Sequence, residues 1–253
     1  EEVVGRALRG LSQRPLIATK CERCWDDRGR IVTRLKRASV RAELEDSLRR
    51  LGVEVIDLYQ IHWPQPDEDI EEAWGTIAEL IREGKVRYGG VSNFNVAQLR
   101  RIQPLHPVAS LQPPYSMLVR GVEAELLPYC TEQGIGVIVY SPMQKGLLTG
   151  KVTREWVSNL PPDDHRRSDP QFHEPRVSAN LALVEGLREI AAKHGKTVAH
   201  LAIAWVLRRP EVTAAIVGAR HPGQIEQTIA GADWDLAEED VAAIEGLLQH
   251  HSR

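Results

Sequence analysis

A chain of 253 residues, 42% hydrophobic and 26% charged, can bury a large core and has the usual size of one barrel domain. Its formal charge of −3, with basic residues interspersed among acids, argues against a polyanion-binding surface, so nucleic acid is not the expected partner. No run of about 18 apolar residues occurs to cross a membrane, and Glu1-Glu2-Val3-Val4 lacks the layout of a secretion signal; a cytoplasmic location is expected.

The chain opens in an amphipathic helix with Val3, Val4, Ala7, Leu8 and Leu11 on one side. The first apolar run follows, Pro15-Leu16-Ile17-Ala18-Thr19-Lys20. Cys21 and Cys24 then have C-x-x-C spacing. With Cys130 they are an odd number, and a lone pair lacks the second ligand pair of a zinc site, so the spacing reads as coincidence in a loop and no metal is expected. Ser39 is placed to cap a helix carrying Leu44, Leu48 and Leu51, which Gly52 ends; the run Ile56 to His62 comes next. Asp69 with Glu72 reads as a capping box before Trp74, Ile77, Leu80 and Ile81, and Gly84 stops that helix ahead of the run Arg87 to Asn93.

Asn95 opens a short helix that Pro104 must close, and the run Pro107 to Gln112 follows. A helix over about Val122 to Glu132 precedes the run Gly136 to Ser141. The irregular stretch from Met143 to Val177, rich in Pro, Asp and Arg, is long enough to be a functional lid. Helices over Asn180–His194 and Thr197–Arg209 lead to the run Thr213 to Arg220, then a helix over Gly223–Ala230 and a last one boxed by Asp235 and Glu238.

Six apolar runs, each ending on a polar residue and separated by helices, make a parallel α/β sheet. Closed as a (β/α)8 TIM barrel, it gathers its chemistry where those polar ends converge. A barrel begins with a strand and this chain begins with a helix. The expectation is a single domain over 1–253, N-terminally incomplete, with the first two strands before Glu1; an open six-stranded sheet would leave two unprotected edges.

Two strand ends carry candidate chemistry. Lys20 reads as a pKa-shifting cation, a Schiff-base amine, a phosphate ligand or a lysine snorkelling from the rim. His62 reads as a group that donates to or shuttles a proton with a substrate oxygen, or as a hydrogen-bonded structural histidine.

These residues resemble the aldo-keto reductases, and the resemblance runs the length of the chain. It is carried by Ile17-Ala18-Thr19-Lys20, by Asp57-Leu58-Tyr59-Gln60-Ile61-His62-Trp63, by Gly84 to Phe94, and by Gln112-Pro113-Pro114-Tyr115-Ser116. Tyr140-Ser141-Pro142, Gly146 to Lys151 and Ile216-Val217-Gly218-Ala219-Arg220 complete it. The bacterial branch that also holds relatives of potassium-channel β subunits is the most similar. The resemblance implies NADPH-dependent reduction of aldehydes and ketones to alcohols by the intact protein, a small carbonyl compound as substrate, and little activity in these 253 residues alone.

The family works with an Asp, a Tyr, a Lys and a His. By similarity Lys20 is that lysine and His62 that histidine, while the Asp and Tyr belong upstream of Glu1; strand alternation turns Tyr59 away from His62. The resemblance also implies that Tyr140 stacks on the nicotinamide and that Ser92, Asn93 and Gln112 bind its carboxamide. Ser141, Pro142, Met143, Gly146 and Leu147 line the pyrophosphate, with 143–177 folded over it. Gly218, Arg220 and Gln224 hold the adenosine 2′-phosphate and adenine, making NADP(H) the cofactor, although Gln227 and Thr228 stand where the family often has Glu and Asn. Two other functions fit a strand-end lysine or a cofactor-binding barrel: a Schiff-base enzyme acting through Lys20, and a non-catalytic subunit that senses NADPH for a partner.

Overall fold

The computed structural model describes residues 1–251. Its elements are α1 (Glu2–Leu8), β1 (Ala18–Cys21), β2 (Arg23–Trp25), β3 (Ile31–Thr33), α2 (Arg37–Leu51), β4 (Ile56–Ile61), α3 (Ile70–Arg82), β5 (Val86–Ser92) and α4 (Val96–Ile102). There follow β6 (Ser110–Gln112), α5 (Leu126–Gln133), β7 (Gly136–Tyr140), α6 (Arg154–Ser158), α7 (Arg176–Lys193), α8 (Val198–Leu207), β8 (Val212–Ile216), α9 (Pro222–Ile229) and α10 (Glu238–His251). Six strands follow the order β1-β4-β5-β6-β7-β8, and the ladders that join β1, β4, β5, β6 and β7 are all parallel. Each expected apolar run holds one of them. No helix among the described residues is long and apolar enough to cross a membrane.

The chain forms two compact units. The first, Glu1–Pro113 with Ala124–Val137, holds β1, β4, β5, β6 and the start of β7. Lys20 pairs in register with Gln60, Gln60 with Gly90, and Gly90 with Ser110. Gly90 is required there: a Cβ would lie 2.4 Å from Ser110 Oγ and 3.2 Å from Gln60 Cγ, so only glycine lets those two polar side chains lie together in the sheet. The second unit, Pro114–Glu123 with Ile138–Arg253, holds the end of β7, β8 and α6 to α10. Its segment 143–177 is not featureless, since short 3-10 turns at Gln144–Thr149, His165–Ser168 and Pro170–Phe172 flank α6.

Several local expectations need correction. The apolar side of α1 is not buried: Val3 is 68% exposed and Val4 46%, and the helix instead packs through Gly5, whose added Cβ would meet Leu51 O at 2.6 Å. Ser39 is not a cap but lies inside α2, where its hydroxyl donates to Glu43 at 3.1 Å. Nor do Asp69 and Glu72 form a capping box. Glu72 accepts from the Arg37 backbone N–H at 2.9 Å, capping α2 from a neighbouring helix, while both carboxylates hold Lys36, at 2.6 and 3.0 Å. Cys24 lies not in a loop but in an antiparallel hairpin, β2–β3, whose turn is tied by Asp26 accepting from the N–H groups of Arg28 and Arg30. Asn95 opens α4 as expected, and the structure adds a capping box with Gln98, with bonds of 2.9 and 3.0 Å.

Candidate active site

In the first unit, β1 and β4 bring Lys20 and His62 to the same end of the sheet. Cys21 is in register with Ile61, and the His62 backbone N–H donates to Cys21 O at 3.2 Å. Lys20 is half-buried, and its ammonium makes no hydrogen bond or ion pair among the described residues. Burial pulls it below the ordinary lysine range, because the charged form loses water without gaining a carboxylate. His62 is pushed down to about 4, first by burial and then by the positive charges of Lys20 and Arg23. At neutral pH its imidazole is therefore uncharged, able to donate one hydrogen bond but not to act as a strong acid.

The strand ends beyond His62 are locked by a polar network. Asn93, held at φ +64°, donates through Nδ2 to His62 O and to Ser92 Oγ, both at 3.0 Å. Ser92 Oγ donates in turn to Gln112 O at 2.8 Å, and Gln112 Nε2 donates to Gln60 Oε1 at 3.1 Å. His62, Ser92, Asn93 and Gln112 are thus brought together. Gln60, wholly buried, is a member that sequence reasoning missed; its place one strand step before the Ile61-His62 end was the available signal. Tyr59 points to the other side, where its hydroxyl donates to Val40 O of α2 at 3.3 Å.

The second unit carries the other expected residues around a cavity of about 1170 Å³. Tyr140 ends β7, and the chain turns sharply after it: Ser141, Gln144 and Lys145 all have positive φ, as does Gly146 at +105°. Tyr140, Ser141, Pro142, Met143 and Gly146 line the cavity, as do Gly218, Arg220 and Gln224 beyond β8. Leu147 does not line it; its side chain is wholly buried. The Arg220 backbone N–H donates to Gln224 Oε1 at 2.6 Å, while its guanidinium makes no hydrogen bond or ion pair among the described residues. Of the two departures from the family pattern, Gln227 accepts from Lys151 at 3.4 Å and Thr228 donates to Gln224 O at 2.9 Å.

Sequence reasoning did not anticipate the charge of this cavity. Lys145, Lys151, Arg166, Arg188 and Lys196 line it together with Arg220, against the single carboxylate of Glu226. Three of these cations have acidic partners: Lys145 pairs with Asp169 at 2.7 Å, Arg188 with Glu185 at 3.1 Å, and Arg166 with Asp164. Arg166 also lies 4.6 Å from the ring centroid of Trp156, a second aromatic on the cavity wall besides Tyr140. These residues are scattered from 145 to 220, so only folding reveals that they converge.

The aldo/keto reductase family model matches residues 1–249. The chain belongs to that family. It is 38% identical over 253 residues to aldo-keto reductase YhdN of Bacillus subtilis (strain 168), covering 99% of this chain and 76% of that protein. It is 31% identical over 262 residues to the NADH-specific methylglyoxal reductase of Escherichia coli (strain K12), covering 98% and 79%. Among solved structures, the glycerol dehydrogenase AKR11B4 from Gluconobacter oxydans superposes with a TM-score of 0.92 at 37% identity, covering 99% of this chain and 77% of that one. This family member is accordingly an α/β protein of the TIM-barrel class and an oxidoreductase of small carbonyl compounds that works with a nicotinamide cofactor.

Proposed function

We propose that the protein reduces aldehydes and ketones to alcohols with NADPH in preference to NADH, using Lys20 and His62 at the carbonyl. The observation that carries the cofactor preference is the cavity of the second unit, where Lys151, Lys196 and Arg220 have no acidic partner among the described residues and face the one lining carboxylate of Glu226. That surplus fits a ligand with a pyrophosphate and a further 2′-phosphate, and a volume of about 1170 Å³ is ample for one. Ser141, Pro142, Met143 and Gly146 would hold the pyrophosphate, with Arg220 and Gln224 at the 2′-phosphate and Tyr140 against the nicotinamide. Ser92, Asn93 and Gln112 would hold the carboxamide. Leu147 would support this loop from beneath.

The bound cofactor supplies hydride to the carbonyl carbon. The chain's own residues act on the oxygen. Neutral His62 donates a hydrogen bond that polarises the carbonyl and fixes its direction, and Asn93 holds the His62 backbone from behind. Lys20 places a positive charge beside the same oxygen, where it favours the developing alkoxide, and the proton that completes the alcohol comes ultimately from solvent, through a donor that the Lys20 charge makes more acidic. Tyr59 and Tyr115 are not that donor, since each is bound elsewhere, Tyr59 to Val40 O and Tyr115 to Glu123 at 2.6 Å.

The test is a pair of fluorescence titrations, NADPH and NADH, on the complete gene product and on its Arg220→Ala variant. The wild type is expected to prefer NADPH by roughly one to two orders of magnitude, a preference that Arg220→Ala loses while NADH affinity stays. Equal weakening of both cofactors would remove Arg220 as the reader of the 2′-phosphate.

A further inference from the structure

The hairpin β2–β3 grows directly out of β1, so Arg23 stands two residues beyond Cys21, whose carbonyl receives the His62 N–H at 3.2 Å. Register places Arg23 opposite Thr33 and Trp25 opposite Ile31, and strand alternation puts Arg23 and Trp25 on one face. Cys24 takes the other face, 3.3 Å from Ser39 Oγ of α2. The Arg23 face is open, with Trp25 71% and Ile31 54% exposed, and Arg23 stands near enough to the site for its positive charge to act on His62.

Arg23 has no full counter-ion. Its side chain makes no hydrogen bond among the described residues, and the nearest carboxylate oxygen, Glu22 Oε2, is 3.8 Å from Nε, beyond hydrogen-bonding range. Glu22 is itself anomalous. It is wholly buried, neither carboxylate oxygen has a hydrogen-bond partner, and its φ of +103° lies where glycine is favoured. Burial, with help from the Glu43 charge and against that of Arg23, pushes it up to about 7. The chain thus strains its backbone to keep an acid beside Arg23 that, near neutrality, does not fully pair with it. Strain of this kind is typical of functional positions.

We propose that Arg23 is a substrate-recognition residue and that the preferred substrates are aldehydes and ketones carrying a carboxylate, with the carbonyl at His62, the carboxylate on Arg23 and the body of the molecule against Trp25 and Ile31. This rests on the reductase function proposed above. Above neutrality Glu22 ionises and takes up the Arg23 charge, so the preference for anionic substrates declines as pH rises. The groups facing Glu22 are Arg23 and Cys24 of the hairpin, Cys21 of β1 and Glu43 of α2, with Arg34 donating its N–H to Glu22 O at 2.9 Å. Both cysteines are raised by burial above the ordinary thiol range and stay neutral across the pH interval concerned.

Two matched pairs of compounds test this on the complete gene product. Turnover is compared for 4-carboxybenzaldehyde and its methyl ester. Binding, independent of turnover, is compared for the product alcohol 4-(hydroxymethyl)benzoate and its methyl ester by quenching of tryptophan fluorescence. At pH 6 the wild type is expected to favour the acid of each pair by about tenfold or more, Arg23→Gln to abolish that ratio and Arg23→Lys to keep part of it. Between pH 6 and 8.5 the wild-type ratio should fall several-fold, that of Glu22→Gln should stay flat, and Glu43→Gln should move the fall to lower pH. An acid-to-ester ratio near one in the wild type, or one that Arg23→Gln leaves unchanged, overturns the proposal while NADPH-dependent reduction continues. Failure to bind NADPH and to reduce either aldehyde overturns the reductase function as well, so the two failures are distinguishable.

Discussion

Glu22 shows how one residue can set both a cost and a use. A left-handed backbone disfavours any side chain with a Cβ, and the buried carboxyl must either stay protonated or carry an unsolvated charge. Its folded pKa of about 7 lies above the unfolded value of 4.5, so stability is highest below 4.5, falls as pH rises, and levels off above about 7. Glu22→Gly is therefore expected to stabilise the fold at pH 8 although it deletes a buried side chain. Relief of strain, about 1–2 kcal/mol, and of the ionisation penalty, up to about 3 kcal/mol, outweigh about 1–2 kcal/mol of lost apolar burial. Urea unfolding at pH 5 and pH 8 measures this, and a gain that does not grow between those two pH values would contradict the assignment. Lys20 makes a contrasting case, since its side chain has no structural partner to lose. Lys20→Met should abolish turnover in the complete gene product while leaving NADPH binding nearly unchanged; normal turnover in that variant would remove Lys20 from the chemistry.

At the scale of elements, what was legible in the sequence was whatever is local. The six strands of the sheet announced themselves as apolar runs between helix stops such as Gly52 and Pro104, and Lys20 and His62 were visible as strand-end residues. What escaped was set by contacts remote in sequence. Strands of three residues are too short to show alternation, so the hairpin carrying Arg23 was read as a loop. The cap of α2 comes from Glu72, 35 residues away, and the exposed side of α1 reflects the backbone approach at Gly5. Asp57 of β4 was part of the family motif, yet its role is a matter of tertiary ties. Its Oδ2 accepts from Arg14 at 2.8 Å and from the Ile17 N–H at 2.9 Å, and its Oδ1 lies 3.2 Å from the Arg87 guanidinium, fastening the lead into β1 and the start of β5 to one buried carboxylate. Asp57→Ala should cost about 2–4 kcal/mol, read as a lowered denaturation midpoint. A loss under about 1 kcal/mol would mean that these ties are individually slack.

Over the whole molecule, charge is distributed in a way that composition conceals. The chain is net negative at −3, yet the cavity of its second unit is lined by six cations, of which Lys151, Lys196 and Arg220 have no acidic partner among the described residues. An anionic cofactor approaching from a distance meets no net attraction, and its affinity has to come from short-range contacts inside the cavity. Exposed charges are screened over about 10 Å at 0.1 M salt, so the contribution of an exposed guanidinium such as Arg220 is sensitive to ionic strength. Stacking against Tyr140 and hydrogen bonding by Asn93 and Gln112, in the function proposed here, are common to NADH and NADPH and cancel in the comparison. The ratio of NADPH to NADH affinity is therefore expected to fall several-fold between about 0.02 and 0.5 M salt in the wild type, and to be low and flat in Arg220→Ala. Titrations of both cofactors across that range decide it. A wild-type ratio that stays constant would show that the preference is steric and not ionic, and the search for its origin would move from Arg220 to Gln227 and Thr228, the two positions of α9 that depart from the family pattern.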